Sequence, residues 1–231
     1  MNPVFGQATT PLFDWDWVTR NLDTILEKTL EHLKLTGVAL GFGLLLSVLL
    51  AAVAIWKGRA YRPIGAFTGA LYTIPSLAVF ALVAPIIGIG TSSQRFWTAE
   101  VALVSYTLLI LVRNIVTGIQ SVPAGVSEAA RGMGYREGGL LARIEVPIAI
   151  PAIIAGVRIA AVTVIGLVTV TSLLGLGGLG FFILDGLRRS IIFPTEIIVG
   201  VVLSVALAAV LDLGLLMLGR FLTPWMRAHG R

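Results

Sequence analysis

The sequence has no cysteine among its 231 residues. That excludes a disulfide scaffold, a thiolate metal site and a cysteine nucleophile. Its two histidines, His32 and His229, are isolated, and neither His-Glu-x-x-His nor clustered carboxylates suggest a metal. No Gly-x-x-x-x-Gly-Lys-Ser/Thr loop occurs, so the chain holds no ATP by that device. Charge is scarce as well, at 13% of residues, about half the share of an average soluble domain. Against these absences stand 57% hydrophobic residues and a mean hydropathy of +0.95. A water-soluble sphere of this size cannot hide that much apolar surface, so a soluble enzyme domain is excluded. So much Leu, Ile, Val and Ala also excludes disorder. The formal net charge of +5 would point to nucleic acid in a soluble chain; here it first needs a membrane explanation. The chain reads as an all-α, polytopic integral membrane protein.

Charge-free stretches mark the spans, because a hydrocarbon core of ~30 Å needs about 20 helical residues. The spacing predicts a first span over Leu35–Trp56 and a third over about Trp97–Ile119, with Glu100 near one end and Arg113 deeper. A fourth covers about Ile148–Val168 and contains Arg158; the last covers about Glu196–Leu218 and contains Asp212. The stretch Pro63–Gln94 is too long for one straight helix and too short for two spans with a loop. With Pro75 inside it, it reads as one tilted or broken helix over about Ile64–Ile87. Thr169–Leu184 is apolar but rich in glycine, which predicts irregular or re-entrant backbone buried in protein. Five spans result, with six as the alternative if the second stretch splits at Pro75.

The basic residues orient the bundle. Lys57, Arg59 and Arg62, then Arg131, Arg136 and Arg143, then Arg220, Arg227 and Arg231 all fall on one side. The positive-inside rule makes that side cytoplasmic and places the N-terminus outside. A sixth span would break this parity. Trp15, Trp17, Trp56, Trp97 and Trp225 fall outside or at the ends of spans, where amphipathic rings sit best. Residues 1–34 lack the pattern of a signal peptide and are expected to be retained. In them Val18, Leu22, Ile25, Leu26, Leu30 and Leu33 recur at helical spacing, as in an interfacial amphipathic helix or one that covers the bundle. Residues 35–219 then form the membrane domain and 220–231 a basic cytoplasmic tail.

The longest polar cytoplasmic stretch is Ser121–Pro147, within the loop 120–147. Ser121 is placed to cap a short helix that tolerates Pro123 in its first turn. Val126, Ala129, Ala130 and Met133 give that helix an apolar side. Gly132 and Gly134 are expected to stop it, Gly134 through a left-handed turn. A second helix from about Arg136 presents Leu140, Leu141 and Ile144 before Pro147 ends it. Such a helix–turn–helix on rigid spans is either a docking knob or an ordinary connection. As a knob, Ala129 and Ala130 would admit a partner closely while Glu128 meets a cation.

Glu128-Ala129-Ala130, three residues, Gly134, nine residues and Ile144-Glu145-Val146-Pro147 resemble the EAA loop of ABC importer permeases. Every spacing fits, and Val146 for Leu is the one departure. Further matches resemble the osmoprotectant branch of that family: His32-Leu33-Lys34-Leu35-Thr36, Thr73-Ile74-Pro75-Ser76-Leu77-Ala78, Ile86-Ile87-Gly88-Ile89-Gly90, Arg113-Asn114, Ala155-Gly156-Val157-Arg158 and Gly175-Leu176-Gly177-Gly178-Leu179-Gly180. Methionine-type permeases share several of them. The resemblance implies a MetI-like fold and a non-enzymatic transport subunit of the bacterial plasma membrane. It implies import of a small compatible solute such as glycine betaine, choline or carnitine, or alternatively an amino acid such as methionine. It further implies three kinds of protein partner: two ATPase subunits that bind ATP and Mg, a second permease copy or paralogue, and a periplasmic or lipid-anchored binding protein. Glu128, Ala129, Ala130, Gly134, Ile144 and Pro147 would then couple this chain to the ATPase.

Intramembrane Arg113, Arg158 and Asp212 are costly in lipid and should face the bundle interior or a wet path. They either line that path or lock helices through buried pairs. Cationic side chains would repel a quaternary ammonium headgroup, which favours a structural or gating role. Pro75, Ser76, Asn114, Thr169, Thr171, Ser172, Gly177 and Gly178, with the two arginines, are the candidate path and gate. Gly175–Gly180 also spells Gly-x-Gly-x-x-Gly, but without a strand before it the dinucleotide reading fails. An ion-driven carrier would need paired carboxylates or inverted repeats. The sequence offers only Asp212 as a deep acid. A membrane scaffold is the other rival, and nucleic acid is not needed to explain the charge.

Overall fold

The structure is a computed structural model that describes residues 12–189 and 192–224. Among these residues every regular element is helical. Trp225, Arg227, His229 and Arg231 lie outside the described residues.

Helix α1 (Trp15–Arg20) begins at Asp14, whose carboxylate accepts the Trp17 N–H at 3.0 Å, a side-chain N-cap. Asn21 interrupts the ladder, and α2 runs from Leu22 to Trp56. Its 35 residues span about 52 Å at 1.5 Å each, against a hydrocarbon core of ~30 Å. The amphipathic residues from Leu22 to Leu33 therefore do not form a separate helix; they extend the first span. No proline or glycine separates them from Leu35, so nothing ends the helical ladder.

After a single 3₁₀ turn come α3 (Tyr61–Thr73) and α4 (Ser76–Ile87), bent by 100° at the break between them. Pro75 explains the break: it lacks an N–H, and its ring drives Ile74 into extended backbone, ψ 129°. The carbonyl of Ile74 is not left bare, because the Tyr106 hydroxyl donates to it. Helix α5 (Ser92–Gln120) starts with a capping box between Thr91 and Gln94. Then come α6 (Ala124–Gly132), α7 (Glu137–Leu140), a π turn over Leu141–Glu145 and α8 (Val146–Val168). A 3₁₀ segment over Thr169–Leu174, α9 (Gly180–Arg188) and α10 (Pro194–Leu222) complete the chain.

Helix α5 is the axis of the bundle and packs against α2, α3, α4 and α8. At one end Leu35 and Ala39 meet Ala99, Ala102 and Leu103; at the other Ala51 and Ala54 meet Val112, Ile115 and Val116. Helices α2 and α5 are therefore parallel, so the chain between them must cross from one end to the other. It does: Tyr61 and Ile64 join the cluster of Val112, whereas Val79 and Phe80 join that of Ala99. The bent pair thus runs from one end of the bundle to the other, and with it as one broken span the described residues hold four long apolar helices and up to five candidate crossings. Helix α8 returns antiparallel along α5, with Gly156 pressed on Asn114: a Cβ added there would lie 2.5 Å from that of Asn114. The described N-terminal residues and the loop 121–147 thus lie at opposite ends of the bundle.

Candidate functional site

The loop at the Gln120 end is more ordered than a connection needs to be. Ser121 closes α5, donating to the Gly118 carbonyl at 2.7 Å, and does not cap α6, which starts after Pro123. The buried side of α6 is Ser127 and Ala130. Ser127 Oγ donates to Glu145 Oε1 at 3.0 Å and ties α6 to the π turn. Gly132 continues α6; the stop comes at Gly134, whose φ of 88° places it in the left-handed region that side chains avoid. Its N–H bonds the Arg131 carbonyl, and the next N–H, on Tyr135, bonds that of Ala130, closing the helix end. Arg131 clasps Glu137 with Nε 2.9 Å from one carboxylate oxygen and Nη2 3.4 Å from the other. This hydrogen-bonded guanidinium holds the Glu137 carboxyl below the usual carboxylate range. Exposed at the tip are Glu128, Ala129, Val126, Met133 at 71% exposure and Tyr135, together with Arg131, Arg136 and Glu137. They form a small knob of mixed apolar and charged character on a braced frame.

Pro147 does not end the second helix. Residues 137–168 are continuously helical through the π turn into α8, although Pro147 and Pro151 give no N–H to the ladder. The wide i→i+5 turn over Leu141–Glu145 precedes a proline that has no N–H to give. Ile144 and Pro147 are half-buried at the root of the loop, whereas Glu128, Ala129 and Gly134 are exposed at its tip.

At the opposite end the glycine segment follows α8. Two turns, at Gly175 (φ 69°) and Gly178 (φ 74°), lead into α9. Residues of α2 hold it: Gly178 N–H donates to Glu31 Oε2 at 3.0 Å, and Leu179 N–H donates to His32 Nδ1 at 3.2 Å. His32 Nε2 lies 3.1 Å from the Ile165 carbonyl. Accepting on Nδ1 assigns the ring hydrogen to Nε2, so the imidazole is neutral. His32 is fully buried. A Cβ on Gly177 would sit 1.4 Å from Glu31 Oε2, so that position is glycine for space. Sequence reasoning treated His32 as isolated because its partners are backbone groups 133 and 147 residues away. The only sequence signal was its place beside Leu33-Lys34-Leu35-Thr36.

The remaining candidates do not gather in one cavity. Asn114 donates to the Ile110 carbonyl of its own helix and packs on Gly156. Thr169, Thr171 and Ser172 donate their hydroxyls to backbone carbonyls three residues back, at 2.7, 2.7 and 2.8 Å. Ser172 and Gly177 do share a cavity of 280 Å³ with Lys28, Asp185 and Arg188. Pro75 and Ser76 sit at the broken span. Arg158 of α8 makes a two-pronged pair with Asp212 of α10, both contacts at 2.7 Å, the fork–fork geometry that fixes orientation as well as distance. Arg113 is exposed beside Tyr61 and Arg62 and makes no ion pair among the described residues. The two arginines thus part company: one locks helices and the other stands free on the flank. Asp212 is also not the only acid within the spans. Glu100 of α5 is 2% exposed.

Candidate spans packed about α5, an ordered helical knob at one end and a pinned glycine turn at the other are the architecture of a polytopic membrane protein. The chain belongs to the family described as the binding-protein-dependent transport system inner membrane component, whose profile matches residues 43–228. As such it is a multi-pass inner-membrane transport component, and the family's description implies a separate substrate-binding partner. It is 34% identical over 204 residues to the osmoprotectant import permease protein OsmW of Salmonella typhimurium, covering 88% of this chain and 94% of that one. It is 35% identical over 200 residues to the choline transport system permease protein OpuBB of Bacillus subtilis, covering 87% and 89%. In fold it is similar to an inward-facing MetNI methionine ABC transporter structure, with TM-score 0.76, 22% identity and coverage of 86% and 96%.

Proposed function

We propose that this chain is half of the translocation pathway of an ATP-driven importer for a small quaternary ammonium solute such as glycine betaine, choline or carnitine. The substrate class rests on relatives such as OsmW and OpuBB, which match this chain over most of their length. Two copies of the chain, or this chain and a paralogue, complete the pathway. The N-terminal end faces outward and receives solute from the binding protein. The exposed tip of the loop 121–147, with Glu128, Ala129 and Gly134, docks on an ATPase subunit in the cytoplasm; Ala130, expected at that surface, is instead buried and seats α6 against the loop, and Ile144 and Pro147 root the loop in α8. Closure of an ATPase dimer then moves the spans as rigid bodies and alternates access. The chain itself carries out no hydrolysis.

The observation that carries this reading is the braced loop: an exposed knob held by Arg131–Glu137 and Ser127–Glu145 and continuous with a span. In liposomes holding the whole importer, Glu128→Lys or Gly134→Val should leave basal ATP hydrolysis measurable and abolish solute uptake. Normal uptake by both variants at normal expression would remove the loop from the coupling role. Uptake that is independent of any ATPase would replace the importer with an ion-driven carrier.

A further inference from the structure

The most unusual group in the bundle is one that neither the loop nor the glycine turn uses. Glu100 lies in α5, two turns from its start, and both carboxylate oxygens lack a hydrogen-bond partner among the described residues. A carboxyl in such a place is costly unless a proton or a cation joins it. It lines a cavity of 410 Å³ formed by α2, α3, α4 and α5. The walls are nearly all apolar, and Phe42, Phe67 and Trp97 supply three aromatic rings. Phe42 and Trp97 stand edge to face with centroids 6.1 Å apart. No lysine or arginine lines this cavity, and Glu100 makes no ion pair among the described residues.

Aromatic faces attract a cation through their quadrupole, and the attraction grows once water is removed. One carboxylate among such rings suits a cation that is bulky, poorly hydrated and unable to donate hydrogen bonds. A lysine-like ammonium needs several acceptors, and this cavity offers only Glu100 and the Ser105 hydroxyl. That hydroxyl already donates to the Ala102 carbonyl at 2.7 Å. We infer that Glu100, Phe42, Phe67 and Trp97 form a binding site for a quaternary ammonium cation within the membrane part of this chain. The site lies on one copy alone, and it stands whether or not the solute proposed above is what the importer carries. A single carboxylate favours a net cation over a zwitterion, because a second carboxylate on the ligand would be repelled.

The test is carbodiimide labelling of Glu100, read by peptide mass spectrometry, on the full chain in lipid nanodiscs. Dicyclohexylcarbodiimide reacts with carboxyls reached through apolar surroundings, and tetramethylammonium and choline are the competing probes. Saturating amounts of either should cut labelling at Glu100 about tenfold, roughly what one or two desolvated cation–π contacts supply. The neutral isostere 3,3-dimethylbutan-1-ol should protect far less. No labelling without competitor would show that the cavity does not reach the carboxyl and would overturn the inference. Equal protection by the neutral alcohol, or none by the cations, would overturn it too. Trp97→Leu, with Glu100 intact, should weaken protection by the cations while labelling without competitor persists. Choline uptake by the importer with no protection at Glu100 would refute the site and leave the import reading standing. Protection without choline uptake would do the reverse.

Discussion

His32 offers the sharpest quantitative test, since one fully buried ring joins three parts of the chain. It sits on α2, accepts from Leu179 after the glycine turn and bonds the Ile165 carbonyl of α8. Leucine at this position keeps the volume and removes both contacts. The Leu179 N–H would then be an orphaned buried donor, at a cost of about 1–3 kcal/mol, and the lost bond at Ile165 adds about 0.5–1.5 kcal/mol. Together these are about 1.5–4.5 kcal/mol. For a chain of this length that lowers Tm by roughly 3–18 °C. The two contacts also differ in kind. An N–H has one hydrogen to place, whereas a carbonyl oxygen has two lone pairs and tolerates the loss of one partner. Asparagine can put an oxygen near Nδ1 and rescue Leu179; glutamine can put an amide near Nε2 and rescue only Ile165. Melting followed by circular dichroism at 222 nm in one detergent should therefore rank wild type above Asn, Asn above Gln and Gln above Leu. A His32→Leu protein that melts within about 2 °C of wild type, or glutamine rescuing as fully as asparagine, would refute the reasoning.

Two other perturbations read the helix contacts. Arg158→Asp or Asp212→Arg alone should lower yield and melting temperature by setting like charges together, and the double swap should recover most of both; a swap no better than either single variant would mean that the pair does not join α8 to α10. Tyr106→Phe leaves the Ile74 carbonyl at the broken span without its hydroxyl donor, and should cost about 0.5–1.5 kcal/mol, read as a fall of about 1–6 °C in the same melt.

Local features of the fold were legible where local chemistry decides them. The spans followed from charge-free runs, the break at Pro75 from its missing N–H, and the left-handed turn at Gly134 from the freedom of glycine. Where neighbouring backbone groups compete for a side chain, or distant partners decide, the reading failed. Ser121 has the chemistry of a helix N-cap, yet the Gly118 carbonyl behind it takes its hydroxyl. Pro147 looks like a stop because proline ends an α-helix, but a π turn ahead of it lets the ladder continue. Thr169, Thr171 and Ser172 look like polar lining, yet each satisfies its own backbone in a bundle where water does not. The partners of His32 were not legible, because nothing in a linear pattern tells a residue at 32 that an amide at 179 will face it. The family motif located the loop, but the clasp between Arg131 and Glu137 depends on a turn whose geometry only the folded chain supplies.

The continuous helical run from Glu137 to Val168 has a mechanical corollary. A tip joined by a flexible strand could flap without disturbing anything behind it. This tip is braced to the first turns of a rod that runs the depth of the bundle. A push on the knob consequently arrives as a torque on α8. Midway along that rod, Arg158 and Asp212 act as a strut into α10, and at its far end the Ile165 carbonyl is tied through His32 to α2. Such a rod would take up twist most cheaply where its bonding is thinnest, at the wide turn over Leu141–Glu145 and at Pro151 inside α8.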